Sequence, residues 1–200
     1  MPVEGNTVPY HRHERGLLRK DAKPGFETPS GKVELWSNKY KEWGLDPLPY
    51  FEEPPESPVS TSELWKEYPL IFMGGLRLPV FHHAEHRNIP WLREIEPDPT
   101  VQVHPDTAKE LNIIDGEWVY IENKRGRIKA KAKITPIANP KVVTCSHGWW
   151  LPETKGTEPY LYGIWEYNVN NLVPMGTQSR SGYGGATYRN CLCRIRKISE

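Results

Sequence analysis

Two glycines and an arginine follow a short apolar stretch of the chain. Residues 70–73 have the apolar character of a buried strand, and Gly74, Gly75, Leu76 and Arg77 come next. Glycine lets the backbone approach a ligand closely with its N–H groups exposed, and the planar guanidinium of arginine matches a phosphate. This order of residues predicts a grip on a phosphate-bearing ligand. A plain turn after the strand is the alternative.

Three histidines, His82, His83 and His86, lie a few residues further along the chain. Imidazole nitrogens bind zinc, but a zinc site usually has four ligands, and no cysteine or acidic pair stands nearby at a recognisable spacing. We therefore favour hydrogen bonding of these side chains to a polar ligand over a metal site. Surface histidines without a ligand are the third interpretation.

A tryptophan pair follows another predicted strand, which ends at Cys145. His147, Gly148, Trp149 and Trp150 would form a flat apolar wall with polar tips, which suits a heterocyclic ligand. The alternative is that the two tryptophans pack in the core.

Three asparagines, Asn168, Asn170 and Asn171, lie close together near the C-terminal end of the chain. An amide side chain carries both a donor and an acceptor, which is what binding the edge of a purine requires. Asparagine also favours turns in which its side chain bonds to the backbone, so a structural turn is the alternative.

Six short stretches predict the strands that would position these residues. They cover residues 70–73, 101–104, 118–122, 127–134, 142–145 and 191–198, with a short helix over residues 105–111. In residues 127–134, isoleucine and alanine alternate with arginine and lysine, so the apolar set shares one face. Alanines on the inner face predict a small, tightly wound barrel. The basic face is interpreted as solvated, because no aromatic residues are interleaved with it to stack on nucleic acid.

The composition bounds the class of protein. The 200 residues carry a formal net charge of +1, so no strong field favours nucleic acid or a membrane surface. No apolar run reaches the ~18 residues that span a bilayer, and the first residues lack the pattern of a secretion signal. We therefore expect no contact of this chain with nucleic acid or membrane, and no localisation signal in it. The three cysteines are too few for a disulfide framework, and Cys191 and Cys193 are expected to be buried and inert.

The N-terminal third of the chain differs from the rest. Twenty prolines in the chain, about twice the ordinary share, indicate many loops. Residues 1–65 show no sustained period and are predicted to be an irregular arm or linker from a preceding domain, with a turn over residues 28–32, a very short strand over 33–36 and a linker over 51–58. Residues 66–200 are predicted to form the organised domain.

Taken in order, these residues resemble a known family. The motifs are Gly74-Gly75-Leu76-Arg77, His82-His83, Arg87-Asn88, His104-Pro105-Asp106, Asp115-Gly116, Arg125-Gly126, His147-Gly148-Trp149-Trp150, Asn168-Val169-Asn170-Asn171-Leu172 and Cys193-Arg194-Ile195. Together they are similar to the C-terminal domain of the large subunit of molybdopterin oxidoreductases, the dimethyl sulfoxide reductase family, in the branch of polysulfide and thiosulfate reductases and acetylene hydratase. Residues 25–35 resemble the segment that precedes this domain, so the likeness extends over residues 16–198.

The resemblance implies a mainly β fold, a six-stranded double-psi β-barrel with short helices and an extended irregular N-terminal arm. It implies a molybdopterin guanine dinucleotide as cofactor, one of two that chelate molybdenum or tungsten, with the metal held mainly by other domains. By position, the residues implied to bind it are Gly74, Gly75, Leu76, Arg77, His82, His83, His147, Gly148, Trp149, Asn168 and Asn171. The family often has a serine where this chain has Ala84, which removes one hydroxyl contact.

The resemblance also implies partners. The parent subunits have an iron–sulfur cysteine motif and a residue that binds the metal, and this chain contains neither. We therefore expect no catalytic residue and no metal ligand here, and turnover only with the remaining domains of a large catalytic subunit and an iron–sulfur electron-transfer subunit. The parent is expected in the periplasm or cytoplasm of a prokaryote. The alternatives are a separately encoded small subunit or carrier that holds the dinucleotide for a partner, and a β-barrel binding module without a pterin role.

Overall fold

The computed structural model describes residues 10–174 and 189–198. The chain divides into two compact units, Met1–Phe51 and Glu52–Glu200. The described part of the first unit contains helix α1, Asn38–Glu42. The helices of the second unit are α2 Ser62–Glu67, α3 Pro90–Ile95, α4 Pro105–Glu110 and α5 Ile164–Tyr167, with single 3₁₀ turns at Leu161–Gly163 and Val169–Asn171. None of the described helices is both long enough and apolar enough to cross a bilayer.

A closed β-barrel forms the second unit. Its strands within the described residues are β1 Leu70–Leu76, β2 Thr100–Val103, β3 Trp118–Asn123, β4 Gly126–Ile134, β5 Val142–Ser146 and β6 Arg189–Lys197. Their order around the barrel is β1-β5-β2-β4-β3-β6. The pairs β1–β5 and β2–β4 are parallel and the other neighbours are antiparallel. The mixed six-stranded barrel with short helices confirms the predicted fold class.

Strand β4 shows why the barrel is narrow. Ile128, Ala130 and Ala132 are buried inside, and the basic residues between them point outwards. On the outer face, Lys129 pairs with Glu166 at 2.8 Å. The alternation predicted from the sequence is confirmed, and the small methyl side chains let opposite walls of the barrel approach each other.

All three cysteines line the barrel interior. Cys145, Cys191 and Cys193 belong to the main core cluster and are each about as buried as its valines. Burial raises the pKa of the thiols of Cys145 and Cys193, since the charged form loses its hydration. The prediction that Cys191 and Cys193 are buried is confirmed.

The described part of the first unit corrects one detail of the sequence prediction. A turn does form near residues 28–32, where the amide of Gly31 donates to the carbonyl of Thr28 at 3.0 Å. Residues 33–36, however, are not a strand, and Val33 and Leu35 are largely exposed. Alternation alone misled the prediction, because a strand also needs a paired neighbour to satisfy its backbone.

The predicted linker over residues 51–58 contains a buried carboxylate. Glu56 is only 7% exposed and binds Arg125, with Lys124 at 2.8 Å. Burial opposes the charge of Glu56, but hydrogen bonds from Arg125 and Lys124 outweigh it and lower the pKa of Glu56. This segment is therefore attached to the barrel, and the compact units divide at residues 51 and 52. The predicted boundary at residues 65 and 66 stays a prediction.

The core assignment can be tested at Ile121, which is fully buried on β3. Replacing Ile121 by alanine removes core contacts and is expected to lower the free energy of unfolding by about 2–5 kcal/mol. Ile137→Ala is the matched control, because Ile137 is 88% exposed, and its effect should stay within about 0.5 kcal/mol. Denaturant unfolding measures both, and equal effects would contradict the placement of Ile121 in the core.

Candidate functional site

A cavity of about 410 Å³ opens where β1 and β5 end. We call it the cleft. Because β1 and β5 are parallel, their carboxyl ends lie at the same edge of the barrel, with Gly74 beside Cys145 and Leu76 beside Ser146. The cleft is lined by Gly74, Gly75, Arg77, His83, Ala84, His147, Gly148, Asn168, Asn170 and Arg189. Seven of the eleven residues that the family resemblance implied, from four separate segments, are thus brought together.

The two glycines of β1 have different roles. A side chain at Gly74 would meet the ring of Phe72 at 2.9 Å, so Gly74 is required by packing. A Cβ atom at Gly75 would meet nothing within 4 Å, and Gly75 lies where the pairing of β1 with β5 shifts register. Gly75 therefore leaves open space in the cleft for a ligand to approach the backbone.

A pair of histidines joins two walls of the cleft. Nδ1 of His83 lies 2.9 Å from Nε2 of His147, and Nδ1 of His147 lies 3.2 Å from the carbonyl oxygen of Leu76. A carbonyl oxygen can only accept, so Nδ1 of His147 carries the proton, and Nε2 of neutral His147 accepts from His83. Neutral His83 is left with a lone pair on Nε2, which offers an acceptor to a ligand.

The charge of the cleft is positive. Arg77 and Arg189 are in the lining, and no carboxylate lines it within residues 10–174 and 189–198. Loss of hydration lowers the pKa of His83, and the positive charge of Arg77 and the neighbouring histidines His147 and His82 add to this shift, against Glu85. His83 is therefore neutral at pH 7. The arrangement can bind an anion through two guanidinium groups and hydrogen-bond a heterocycle through imidazole and amide groups.

The loop between β1 and α3 is pressed against the end of β5. Gly148 has a φ of +69°, and a Cβ atom there would lie 3.0 Å from the backbone of Ala84. The indole of Trp150 donates to the carbonyl of Ala84 at 2.6 Å. These contacts hold the loop that carries His83 beside His147.

The asparagine stretch, residues 168–171, forms a turn and also lines part of the cleft. The side chain of Asn168 accepts from the amide of Asn170 at 3.0 Å and begins the 3₁₀ turn Val169–Asn171. Asn171 instead donates its amide to the carbonyl of Ile164 at 2.8 Å. Asn168 and Asn170 also line the cleft, so the turn is confirmed, and the binding of a purine edge by this stretch stays a prediction.

Four of the predicted residues are outside the lining of the cleft: Leu76, His82, Trp149 and Asn171. Trp149 is fully buried, and its indole donates to the hydroxyl of Ser146, as the alternative of a core tryptophan predicts. His82 is exposed, with Nδ1 3.7 Å from a carboxylate oxygen of Glu85. Leu76 contributes its backbone carbonyl, which accepts from His147.

Two lining residues, Ala84 and Arg189, were not among the candidates from the sequence. Asn170 was a candidate for binding the edge of a purine, although it was not among the residues that the family resemblance implied. Arg189 had no local signal, because it reaches the cleft only through the antiparallel register that pairs it with Met73. Ala84 differs from the expected serine, and its small side chain is what the approach of Gly148 requires.

Comparison with known proteins follows this geometry. The model of the family described as "Molydopterin dinucleotide binding domain" matches residues 70–191. A dopamine dehydroxylase from Eggerthella lenta is 39% identical over 193 residues, covering 84% of this chain and 18% of that protein. The molybdopterin-containing subunit of thiosulfate reductase from Salmonella typhimurium is 33% identical over 157 residues, covering 78% of this chain and 19% of that protein.

A solved structure also has a similar fold. The solved structure of acetylene hydratase from Pelobacter acetylenicus matches with a TM-score of 0.79 and 33% identity, covering 90% of this chain and 25% of that chain. The chain thus spans about a fifth of the length of these two curated relatives: 18% of the dopamine dehydroxylase and 19% of the thiosulfate reductase subunit.

The approach of the loop to β5 can be tested with matched glycines. Gly148 and Gly116 both have positive φ, but a side chain at Gly116 would meet nothing within 4 Å. Gly116→Ala should cost about 1 kcal/mol of backbone strain, and Gly148→Ala about 2–4 kcal/mol because a contact with the backbone of Ala84 is added. Thermal unfolding measures the difference, and equal losses would show that the loop does not pack on Gly148.

Proposed function

Because the chain belongs to the molybdopterin dinucleotide-binding domain family, we propose that its cleft holds one molybdopterin guanine dinucleotide of a cofactor in which two such dinucleotides chelate molybdenum or tungsten. The observation that carries this proposal is the position of the cleft. It lies within the matched residues, at the ends of two parallel strands, and combines open backbone at Gly75 with arginines and, in the part of the chain that the structure describes, no carboxylate.

The residues present fit the chemistry of a dinucleotide. Arg77 and Arg189 supply the positive charge and the planar donors that bind phosphates. Asn168 and Asn170 supply amide groups for the edge of a guanine. Uncrowded backbone at Gly75 is what a close approach of pyrophosphate requires.

The paired side chains of His83 and His147, which we call the histidine wall, suit the pterin side of the cleft. Neutral His83 offers an acceptor at Nε2, which complements the N–H groups of a pterin, and in its protonated form it would donate to a phosphate. His147 and Gly148 border it. Of the other residues implied by the family, we propose supporting roles: Trp149 packs beneath this wall, Leu76 orients His147, and Asn171 holds the turn that presents Asn168 and Asn170. The ring centre of His82 lies 4.9 Å from that of His83, and His82 supports the orientation of His83.

Redox chemistry in this proposal belongs to the metal, which the cofactor supplies when it is bound. The residues of this chain bind and orient the dinucleotide and do not react. The remaining domains of a large catalytic subunit, with an iron–sulfur subunit as electron-transfer partner, complete the enzyme. The covered share of the relatives, 18% of the dopamine dehydroxylase and 19% of the thiosulfate reductase subunit, supports such a parent.

The same proposal includes the domain from which the N-terminal arm, residues 1–65, comes and the compartment in which the parent enzyme works. Residues 66–200 form the dinucleotide-binding barrel, and residues 1–65 come from the preceding domain, with their last part attached to the barrel through Glu56. The parent works in the periplasm or cytoplasm of a prokaryote. Metal and pterin analysis of the chain purified with its remaining domains distinguishes molybdenum from tungsten, and a parent subunit from a carrier that releases its dinucleotide.

The dinucleotide proposal is tested with GDP, which carries guanine and a pyrophosphate. Isothermal titration should give binding of GDP that is stronger than binding of ADP or CDP. Gly75→Ala should weaken binding slightly, and Gly75→Leu by at least about tenfold, or 1.4 kcal/mol, because the larger side chain fills the cleft. Neither substitution should change thermal stability, since the space at Gly75 is open.

Each outcome of this titration has a meaning. A preference for CDP or ADP contradicts the guanine form and leaves a different dinucleotide. No effect of Gly75→Leu on a measured affinity contradicts the location of the site in the cleft. A folded chain that binds none of the three nucleotides contradicts the proposed nucleotide site.

The affinity for GDP should depend on pH through His83. The pKa of His83 is lowered in the chain without ligand, and a phosphate beside it would raise that pKa again. Binding then takes up a proton, so affinity should increase as the pH falls from about 8 to about 6 and level off below the pKa of the unliganded form. The groups that set this response are Arg77, His82, His147 and Glu85.

His83→Gln is the control for the ligand's own titration. The phosphate of GDP titrates near about pH 6, so some pH dependence will remain in any variant. The difference between the slopes of the unmodified chain and His83→Gln isolates the imidazole. Identical slopes would exclude His83 from the phosphate side of the cleft.

A further inference from the structure

Arg87 is a buried cation behind the cleft. It is 1% exposed, and its guanidinium carbon lies 4.0 Å from the centre of the Phe81 ring and 4.4 Å from the centre of the Trp149 ring. The centres of the two rings lie 5.8 Å apart and their planes are nearly perpendicular, so the rings contact the guanidinium on two adjacent sides through cation–π interaction. Its position is therefore fixed by packing.

One nitrogen of Arg87 joins the two histidine segments. NH2 donates to the carbonyl of His83 at 3.1 Å and to the carbonyl of His147 at 3.0 Å. These are the backbones of the two residues whose rings bond to each other across the cleft at 2.9 Å. The histidine pair is thus tied twice, through its rings in front and through Arg87 behind.

Stability alone does not explain a cation in this place. Among the described residues, Nε and NH1 of Arg87 have no hydrogen-bond partner, and none of them forms an ion pair with it. Burial lowers the pKa of Arg87 to about 10, with the charge of Arg93 adding to the shift. An uncompensated buried charge is costly, and an apolar side chain of similar volume is often neutral or stabilising in its place. The benefit of Arg87 must therefore lie in what it holds.

We propose that Arg87 is a positioning residue, which sets the distance between His83 and His147 and with it the tautomers that the pair presents to the ligand. The inference rests on the proposed function of the cleft. Without the tie to both carbonyls, the loop that carries His83 would move relative to β5. His147 would then lose its ring partner, and Nε2 of His83 would no longer be the fixed acceptor.

The experiment compares Arg87→Met with Arg93→Met. Methionine keeps an unbranched apolar chain against Phe81 and Trp149 but cannot donate to the carbonyls. Arg93 is the matched control, because its guanidinium also lies over Trp149, at 5.5 Å, but pairs with Glu153 at 2.9 Å and not with the histidine backbones. Both variants remove one guanidinium from the same ring, and only one removes the tie.

The readout is the histidine ¹⁵N spectrum of the unliganded 200-residue chain. The unmodified chain and Arg93→Met should both show protonated Nδ1 on His83 and on His147. In Arg87→Met these signals should collapse to the average of exchanging tautomers, with thermal stability unchanged or raised. Unchanged histidine signals in a folded Arg87→Met chain would overturn the proposal.

A second variant covers the case in which Arg87→Met does not fold. Arg87→Leu places a shorter apolar side chain against the two rings and likewise cannot donate to the carbonyls, so it should give the same averaged histidine signals. Signals identical to those of the unmodified chain would overturn the proposal here too. The spectra need no ligand, so they are independent of the GDP titration. Shifted histidine signals together with no GDP binding would support the role of Arg87 and reject the proposed nucleotide site.

Discussion

The parallel pairing of β1 with β5 is the constraint on which the cleft depends. It brings the carboxyl ends of two strands, far apart in sequence, to one edge of the barrel, so that Gly75 and His147 become neighbours. The register shift after Gly74 gives the two adjacent glycines different surroundings. Gly74 packs closely on Phe72, and Gly75 faces open space for a ligand. An antiparallel pair in this position would direct the two ends to opposite sides of the barrel.

Charge in the cleft follows from the same topology. Arg189 begins β6, which pairs with β1, and Arg77 follows the end of β1, so two guanidinium groups reach one small cavity. None of the described residues of the lining carries a carboxylate that could neutralise them, and the charge of Arg77 opposes protonation of His83. A cavity of about 410 Å³ is near the lower end of the about 300–1,000 Å³ of small-ligand sites, which agrees with the proposal that it holds one part of a larger cofactor.

Local patterns predicted the barrel well, and long-range contacts account for what they missed. The alternation in β4 depends only on neighbours in sequence, so Ile128, Ala130 and Ala132 could be placed inside. The exposure of Val33 and the burial of Glu56 depend on which segments pack against them, which no local pattern contains. The glycine, histidine and asparagine motifs located the cleft, but their order could not say which of two adjacent residues faces it. Trp149 and Asn171, which the sequence predicted at the site, instead point into the structure. Arg189 could not be predicted, because its position depends on the register of β6.

A series of hydrogen bonds connects Glu56 to the side of the cleft formed by Asn168 and Asn170, which we call the amide wall. Glu56 binds Arg125 in the hairpin between β3 and β4, and the amide of Arg125 donates to the side chain of Asn123 at 2.9 Å. Asn123 in turn donates to the carbonyl of Leu172 at 2.7 Å, directly after the turn that presents Asn168. Since Glu56 is buried and charged, loss of Arg125 leaves it with Lys124 as its remaining ion-pair partner, and the hairpin that supports the turn is weakened. A segment that the sequence described as a linker thus helps to hold the amide wall in place.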